Sequence, residues 1–379
     1  MAMWQKLQTT ARWLPGYLWQ RSFRRAPRVR SLHLIIALAD HFEPAIVPEN
    51  PKAFAPRDVQ LSRLEAWIGK YPSLVDSLRD SGGFAFRHTY FYPAEQYDPE
   101  IVEMLAQHCR EGWGETEIHL HHGVDAPDTS ENTRRVLEGF RDTLAGHGCL
   151  SRLAGSSLPR YAFVHGNWSL ANSGKGCCGV DNEMRILAET GCYADFTLPS
   201  APNPAQTAKI NSIYECALPL DQRAPHRRGH DLKAGTKPHT YPLIIQGPLA
   251  LAYRRRTNGK RRWTIENSEI CGSNPPSVGR LQYWIRAGIQ VQGRPDWIFI
   301  KLHCHGMDPR DEEALLGAPM SRFLQDLTEA AKGGKVQTHF VTAREMANIA
   351  LAACDGRDGN PGKYRDYQFT RTRNAGLSR

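Results

Sequence analysis

Apolar and polar positions alternate between two periods along most of this chain. L-H-L-I-I-A-L-A-D-H-F-E-P is an apolar run that ends in polar residues and then Pro44, the pattern of a buried strand. Leu61, Leu64, Trp67 and Ile68 recur at helical spacing and predict a helix over 57–80. F-A-F-R-H-T-Y-F-Y alternates and is rich in aromatics, so it reads as a strand. A helix over 98–111 follows, with Asp98 as cap and Pro99 at its first position. E-T-E-I-H-L-H-H is a strand, 130–146 a helix capped by Ser130, and Y-A-F-V-H-G-N-W a strand. A helix over 179–190 and the short strand Y-A-D-F-T come next. Beyond residue 290, W-I-F-I-K-L-H-C-H-G reads as a strand, 309–332 as helical and Q-T-H-F-V-T-A-R-E as the last strand. Its Thr342 and Glu345 have the spacing of a capping box for the final helix.

This rhythm predicts a parallel α/β sheet or barrel. It breaks over 200–280, where a β-hairpin around Asn258-Gly259 marks an insertion. The expected organisation is an N-terminal arm over 1–30, a catalytic domain over 31–355 with its insertion at about 200–280, and a polar tail over 356–379.

Charge adds a second pattern. The chain of 379 residues carries a net charge of +9. Residues 1–30 hold seven Lys or Arg and no acid, and residues 223–262 hold eleven Lys or Arg and one acid, Asp231, so a mildly acidic body carries two basic patches. The first patch also holds three Trp, with Pro15 interrupting it. Trp and Arg together suit a membrane surface, so the arm reads either as a peripheral anchor at the inner face of a membrane or as a basic segment that packs on the body or stays disordered. The second patch reads as a solvated hairpin or as a site for an anionic partner. No nucleic-acid-binding motif accompanies it, and nucleic acid is not expected. No apolar run approaches the ~20 residues of a transmembrane helix, and the N-terminus lacks the apolar core of a signal peptide. Nine cysteines without a CxxC read as mostly reduced thiols of a cytoplasmic protein.

The candidate chemistry collects at the C-terminal ends of the predicted strands. These ends carry Asp40-His41, then His119, His121 and His122 with Asp125 after them, His165-Gly166-Asn167-Trp168, Asp195, and His303-Cys304-His305. In a parallel barrel such ends meet on one face, where active sites form. Imidazole with carboxylate points to zinc or a neighbouring ion. His121 and Asp125, four apart, can share one ion, and a third ligand from the first strand leaves a position open for water. His119 shares the strand face of His121 and is a supporting or alternative ligand, whereas His122 faces the other way.

In their order these strand ends resemble the five motifs of the polysaccharide deacetylase family, the NodB-like fold of carbohydrate esterase family 4. The resemblance covers roughly 31–350 without the insertion and rests on motif order. It implies an irregular (β/α) barrel, a divalent metal that is most often zinc, and removal of acetyl groups from a glycan. Carried over by position, it implies Asp40 as base, His41, His121 and Asp125 as metal ligands, and His303 as the acid that protonates the leaving group. It places His165, Asn167, Trp168, Asp195 and His305 on the substrate side. The chain departs from the family pattern at His41, Asp125 and His165, where the family has Asp, His and Arg. The expected activity is therefore a metal-dependent hydrolase acting on an acetylated or anionic glycan, including a lipid-linked one, in surface polysaccharide metabolism. The rival readings are a glycan- or membrane-binding protein on a retired hydrolase scaffold and a metal-dependent glycoside hydrolase or phosphoesterase.

Overall fold

The computed structural model describes residues 3–24, 29–50, 52–123, 126–174, 178–255 and 261–371. Its strands, in chain order, are β1 (Leu32–His41), β2 (His88–Pro93), β3 (Gly114–Leu120), β4 (Ser151–Leu153), β5 (Pro159–His165), β6 (Cys192–Asp195) and β7 (Ile213–Cys216). They continue with β8 (Gly229–Asp231), β9 (Leu243–Ile245), β10 (Ala250–Arg255), β11 (Arg261–Glu266), β12 (Trp297–Cys304), β13 (Val336–Phe340) and β14 (Phe369–Arg371). All but β10 and β11 join one sheet of twelve strands, in the order β12-β1-β2-β3-β5-β6-β9-β7-β8, with β13 also on β1. The pairings from β12 through β9 are parallel. The chain is thus a mixed α/β protein built on a large, mostly parallel sheet. Beyond β8, Ala234 N donates to Gln292 O at 2.8 Å and Phe299 N to Ile289 O at 2.9 Å, leading the backbone back toward β12.

Both sheet faces are covered, and β1 is correspondingly an almost unbroken apolar run. Its even positions Leu34, Ile36 and Leu38 pack with Trp67, Tyr90 and Leu302 on one face. Its odd positions Ile35, Ala37 and Ala39 pack with Phe91, Val164, Phe299 and the buried final helix Ala343–Cys354 on the other. This two-residue alternation decides which polar residues meet at the strand ends.

Local signals hold in most places. Asp98 caps the helix Pro99–Arg110, and Thr342 with Glu345 forms the capping box. The helix Ser130–Gly146 is capped by Thr129, one residue earlier than expected, while Ser130 Oγ donates to Asn182 Oδ1 at 2.7 Å. The helical stretch expected over 309–332 is two helices, Glu312–Leu316 and Ala318–Lys332. The hairpin strands β10 and β11 pair as expected, and its turn lies outside the described residues.

Three segments outside the regular alternation also take part in the fold. The stretch 200–280 is not wholly peripheral, because β9 pairs with β6 inside the sheet. The N-terminal segment is one helix, Met3–Phe23, that runs through Pro15, with Trp13 and Tyr17 on either side of the proline packed against the body. Part of the tail is structural: β14 pairs with β4, and Arg365 is buried. Arg365 bonds Asp80 at 2.7 Å and Glu345 at 3.0 Å, and Arg87 adds a bond to Glu345 at 2.6 Å. Beside it, Arg344 bonds Glu115 at 2.7 Å. This buried ionic network lies by the N-terminal ends of β2 and β3, opposite the histidine-bearing ends. Arg365→Ala leaves two buried carboxylates short of a cation, so urea unfolding should read a loss of about 3–5 kcal/mol. A variant within about 0.5 kcal/mol of the wild type, the range of ordinary surface substitutions, would mean the tail does not hold the domain.

Candidate metal centre

Strand pairing continues past the end of β1, with Phe42 N donating to Phe91 O at 3.0 Å. The alternation therefore reaches Glu43 and sets it on the same face as His41. From β3, His119 and the following His121 project to that face. His119 Nδ1 lies 2.9 Å from the Val164 carbonyl, which only accepts, so Nδ1 carries the proton and Nε2 keeps its lone pair. That Nε2 is 3.3 Å from Glu43 Oε1. His121 repeats the arrangement. Its Nδ1 donates to Glu95 Oε1 at 2.5 Å, and its Nε2 lies 3.9 Å from the same Glu43 oxygen. His41 Nε2 is buried and has no protein partner. Ligand atoms of His41, Glu43 and His119 all fall within 4.8 Å of one another.

Two imidazoles and a carboxylate thus converge, with His121 Nε2 close to the same carboxylate and two rings held from behind by acceptors. Tying the remote nitrogen of a metal-binding histidine to a carbonyl or carboxylate is the usual way to fix its tautomer and orientation. Ligands at the bond lengths of tetrahedral zinc stand about 3.3 Å apart, which matches the His119–Glu43 separation. The residues fit a divalent ion.

The electrostatics agree. Burial, reinforced by the neighbouring His305, His119 and His303, pushes His41 well below the ordinary histidine value. Burial also lowers His119, despite the nearby Glu43 carboxylate. Both rings are neutral near pH 7, the form a metal requires. Burial raises the Glu43 carboxyl, but the adjoining His119, His121 and His305 outweigh it and lower the carboxyl below its ordinary value. Burial works against protonation of His121 too, yet Glu95 and Glu43 raise it.

Of the residues singled out in the sequence, His41, His119, His121, Trp168, His303 and His305 come together. The His41 ring centroid is 4.8 Å from Trp168 and from His305, and 6.3 Å from His303. Trp168 stands 5.3 Å from His303 with φ at 60°, an unusual backbone for a bulky residue. Asp125 lies outside the described residues.

Asp40, expected as the base, is not in the cluster. As an even position of β1 it turns to the other face, where it is fully buried, bonds His88 Nδ1 at 2.9 Å and accepts from Gly306 N at 2.6 Å. His165 is also on that other face, beside His122 and 3.7 Å from Glu183, because Ala162 and Val164 take the inward positions of β5. Asn167 bonds Cys178 Sγ at 3.2 Å. Asp195 accepts from Thr197, and burial pushes its carboxyl up to about 7.

Two further groups have donors close enough for an ion, Asp40 with His88 and Cys304, and His122 with His165 and Glu183. Part of each group is bonded within the protein, while the buried Nε2 atoms of His88 and His165 have no hydrogen-bond partner. Both Asp40 oxygens are bonded, and His122 is clamped between Asp128 at 2.7 Å and Glu183 at 3.2 Å.

Sequence reading missed Glu43 and Glu95. Glu43 was within reach, two residues past His41 on the same alternation. Glu95 sits in the turn after β2, where no periodicity marks it. Gly166 matters for a steric reason, since a Cβ there would lie 2.3 Å from the His121 ring.

No model of a known protein family matches the chain, and no curated protein matches it.

The clamp on His122 generates a stability prediction. Burial opposes its protonation, but Glu183 and Asp128 raise it to about 9 from an ordinary 6.5. A raised value means that the stabilisation is complete below pH 6.5 and is lost as pH climbs through about 9. Thermal midpoints should fall between those limits, and His122→Gln should flatten that slope. An unchanged slope in the variant would remove His122 as its source.

Proposed function

We propose that the chain is a metal-dependent hydrolase of the polysaccharide deacetylase type, acting on an acetylated glycan. The observation that carries this reading is that ligand atoms of His41, Glu43 and His119 lie within 4.8 Å of one another, with His121 Nε2 3.9 Å from the same Glu43 oxygen and His41 Nε2 buried without a partner. Glu43 and His119 join the expected ligands His41 and His121 in this reading, and Asp125 lies outside the described residues. Three imidazoles and one carboxylate favour zinc among divalent ions. Such an ion supplies acidified water and polarises an acyl oxygen.

The protein residues do the rest. Glu95 and the Val164 carbonyl hold His121 and His119 in their tautomers. His303 is buried, and burial with the nearby Lys301 and His305 keeps its ring neutral. A neutral imidazole facing the cluster can accept a proton from the attacking water and return it to the leaving group, so His303 takes both roles once Asp40 is set aside. Trp168 offers an aromatic wall to a sugar ring, and His305 lines the rim. A barrel-like closure of the sheet is supported by the backbone bonds from Ala234 to Gln292 and from Phe299 to Ile289. It would bring every histidine-bearing strand end to one mouth.

Purified protein should contain one zinc or similar ion per chain by elemental analysis. His119→Ala should lose it and release no acetate from acetylated oligosaccharides, whereas His165→Ala should keep its ion. Glu95→Gln should weaken metal affinity by roughly 10–100-fold. Full metal content in His119→Ala would refute the ligand set. A bound metal with release of free sugar or phosphate but no acetate would keep the centre and replace the reaction.

A further inference from the structure

The two basic segments, far apart in sequence, are neighbours in space. The helix Met3–Phe23 docks through one stripe. Trp13 is fully buried in a small core with Ala201, Ile210 and Leu249, and Tyr17, Leu251 and Ile265 pack against it. Tyr17 Oη donates to the Leu251 carbonyl at 3.4 Å and Gln20 to that of Ile210 at 2.8 Å. Leu251 belongs to β10, so the helix is fastened to the base of the basic hairpin.

Beside this contact Leu18 is 54% exposed and Trp263 64%, values far above those of a packed residue, and Trp19 and Phe23 are exposed on another flank of the same helix. Tyr253 and Trp263 pair across the hairpin with ring centroids 5.1 Å apart. A groove of about 360 Å³ separates helix from hairpin, lined by Leu18, Arg21, Tyr253, Trp263, Tyr283 and Arg286. No acid lines it among the described residues. The helix has no acidic residue, and the only acid of the two hairpin strands, Glu266, is buried and bonded to Arg280 at 2.8 Å. Arg261 and Arg262 stand exposed on the hairpin.

We propose that helix and hairpin together form a docking face for an anionic lipid bilayer. Trp and Tyr favour the headgroup layer, and arginines are attracted to anionic lipid. No described helix is long and apolar enough to cross a membrane, so contact is at the surface. A second copy of the chain fits less well, because face-to-face pairing would bring like charges together. The docking face stands independently of the metal centre.

The test is co-sedimentation of the full chain with vesicles of phosphatidylcholine alone and with phosphatidylglycerol added. Binding is expected only with the anionic lipid, and it should fall as salt rises. Arg261→Glu with Arg262→Glu should weaken it by about tenfold or more, on the general worth of a basic residue near an anionic surface. Trp263→Ser should weaken it as well, and both variants should keep the wild-type thermal midpoint because the altered side chains are exposed. If Trp263→Ser disturbs folding, the arginine pair decides alone. No binding to anionic vesicles at low salt overturns the proposal. So does equal binding to neutral vesicles, or a wild-type dimer, broken by Trp263→Ser, that ignores vesicles.

Discussion

Successive residues of a strand point to opposite faces, and that single constraint sorts the polar residues of this protein. Along β1 it sends Asp40 to one face and His41 to the other, and it carries Glu43 back to the face of His41. Along β3 it sets His119 and His121 together and sends His122 away. On β12 it separates His303 and His305 from Cys304. A shift of one residue in the register of any of these strands would dissolve the cluster. The register is held because both faces are packed: Leu34, Ile36 and Leu38 on one side, Ile35, Ala37 and Ala39 on the other.

The two ends of the strands carry different chemistry. By the N-terminal ends of β2 and β3, Arg87, Arg344 and Arg365 meet Asp80, Glu115 and Glu345 in a buried network with every acid paired. At the C-terminal ends, burial acts on histidines whose positive form it opposes. His41 and His303 are driven to the neutral form with ring nitrogens left unbonded. Buried polar atoms without partners are uncommon in folded proteins, and the unpartnered His41 Nε2 belongs to a residue with a ligand atom within 4.8 Å of those of Glu43 and His119. At one end the buried carboxylates pair with arginines, and at the other the ligand atoms of His41, Glu43 and His119 lie close enough to hold an ion.

Much of this was legible in the sequence. The alternation of strands and helices, the caps at Asp98 and Thr342 and the gathering of histidines at strand ends all follow from local patterns. The period of two also separated His122 from His119 and His121. The same rule, applied to β1 and β5, would have turned Asp40 and His165 away from the site. What stayed hidden depends on contacts distant in sequence. Glu95 reaches His121 from a turn 26 residues earlier. β9 enters the sheet between strands whose connections give no hint of its neighbours. Arg365 reads as part of a polar tail until Asp80, 285 residues away, is beside it.

The claim that His41, Glu43, His119 and His121 hold an ion is tested most directly by crystals grown with zinc and measured at its absorption edge. The account predicts one anomalous peak about 2.0–2.2 Å from the three Nε2 atoms and a Glu43 oxygen. A peak instead at Asp40, His88 and Cys304, or at His122, His165 and Glu183, would contradict it, as would zinc-grown crystals with no peak near Glu43.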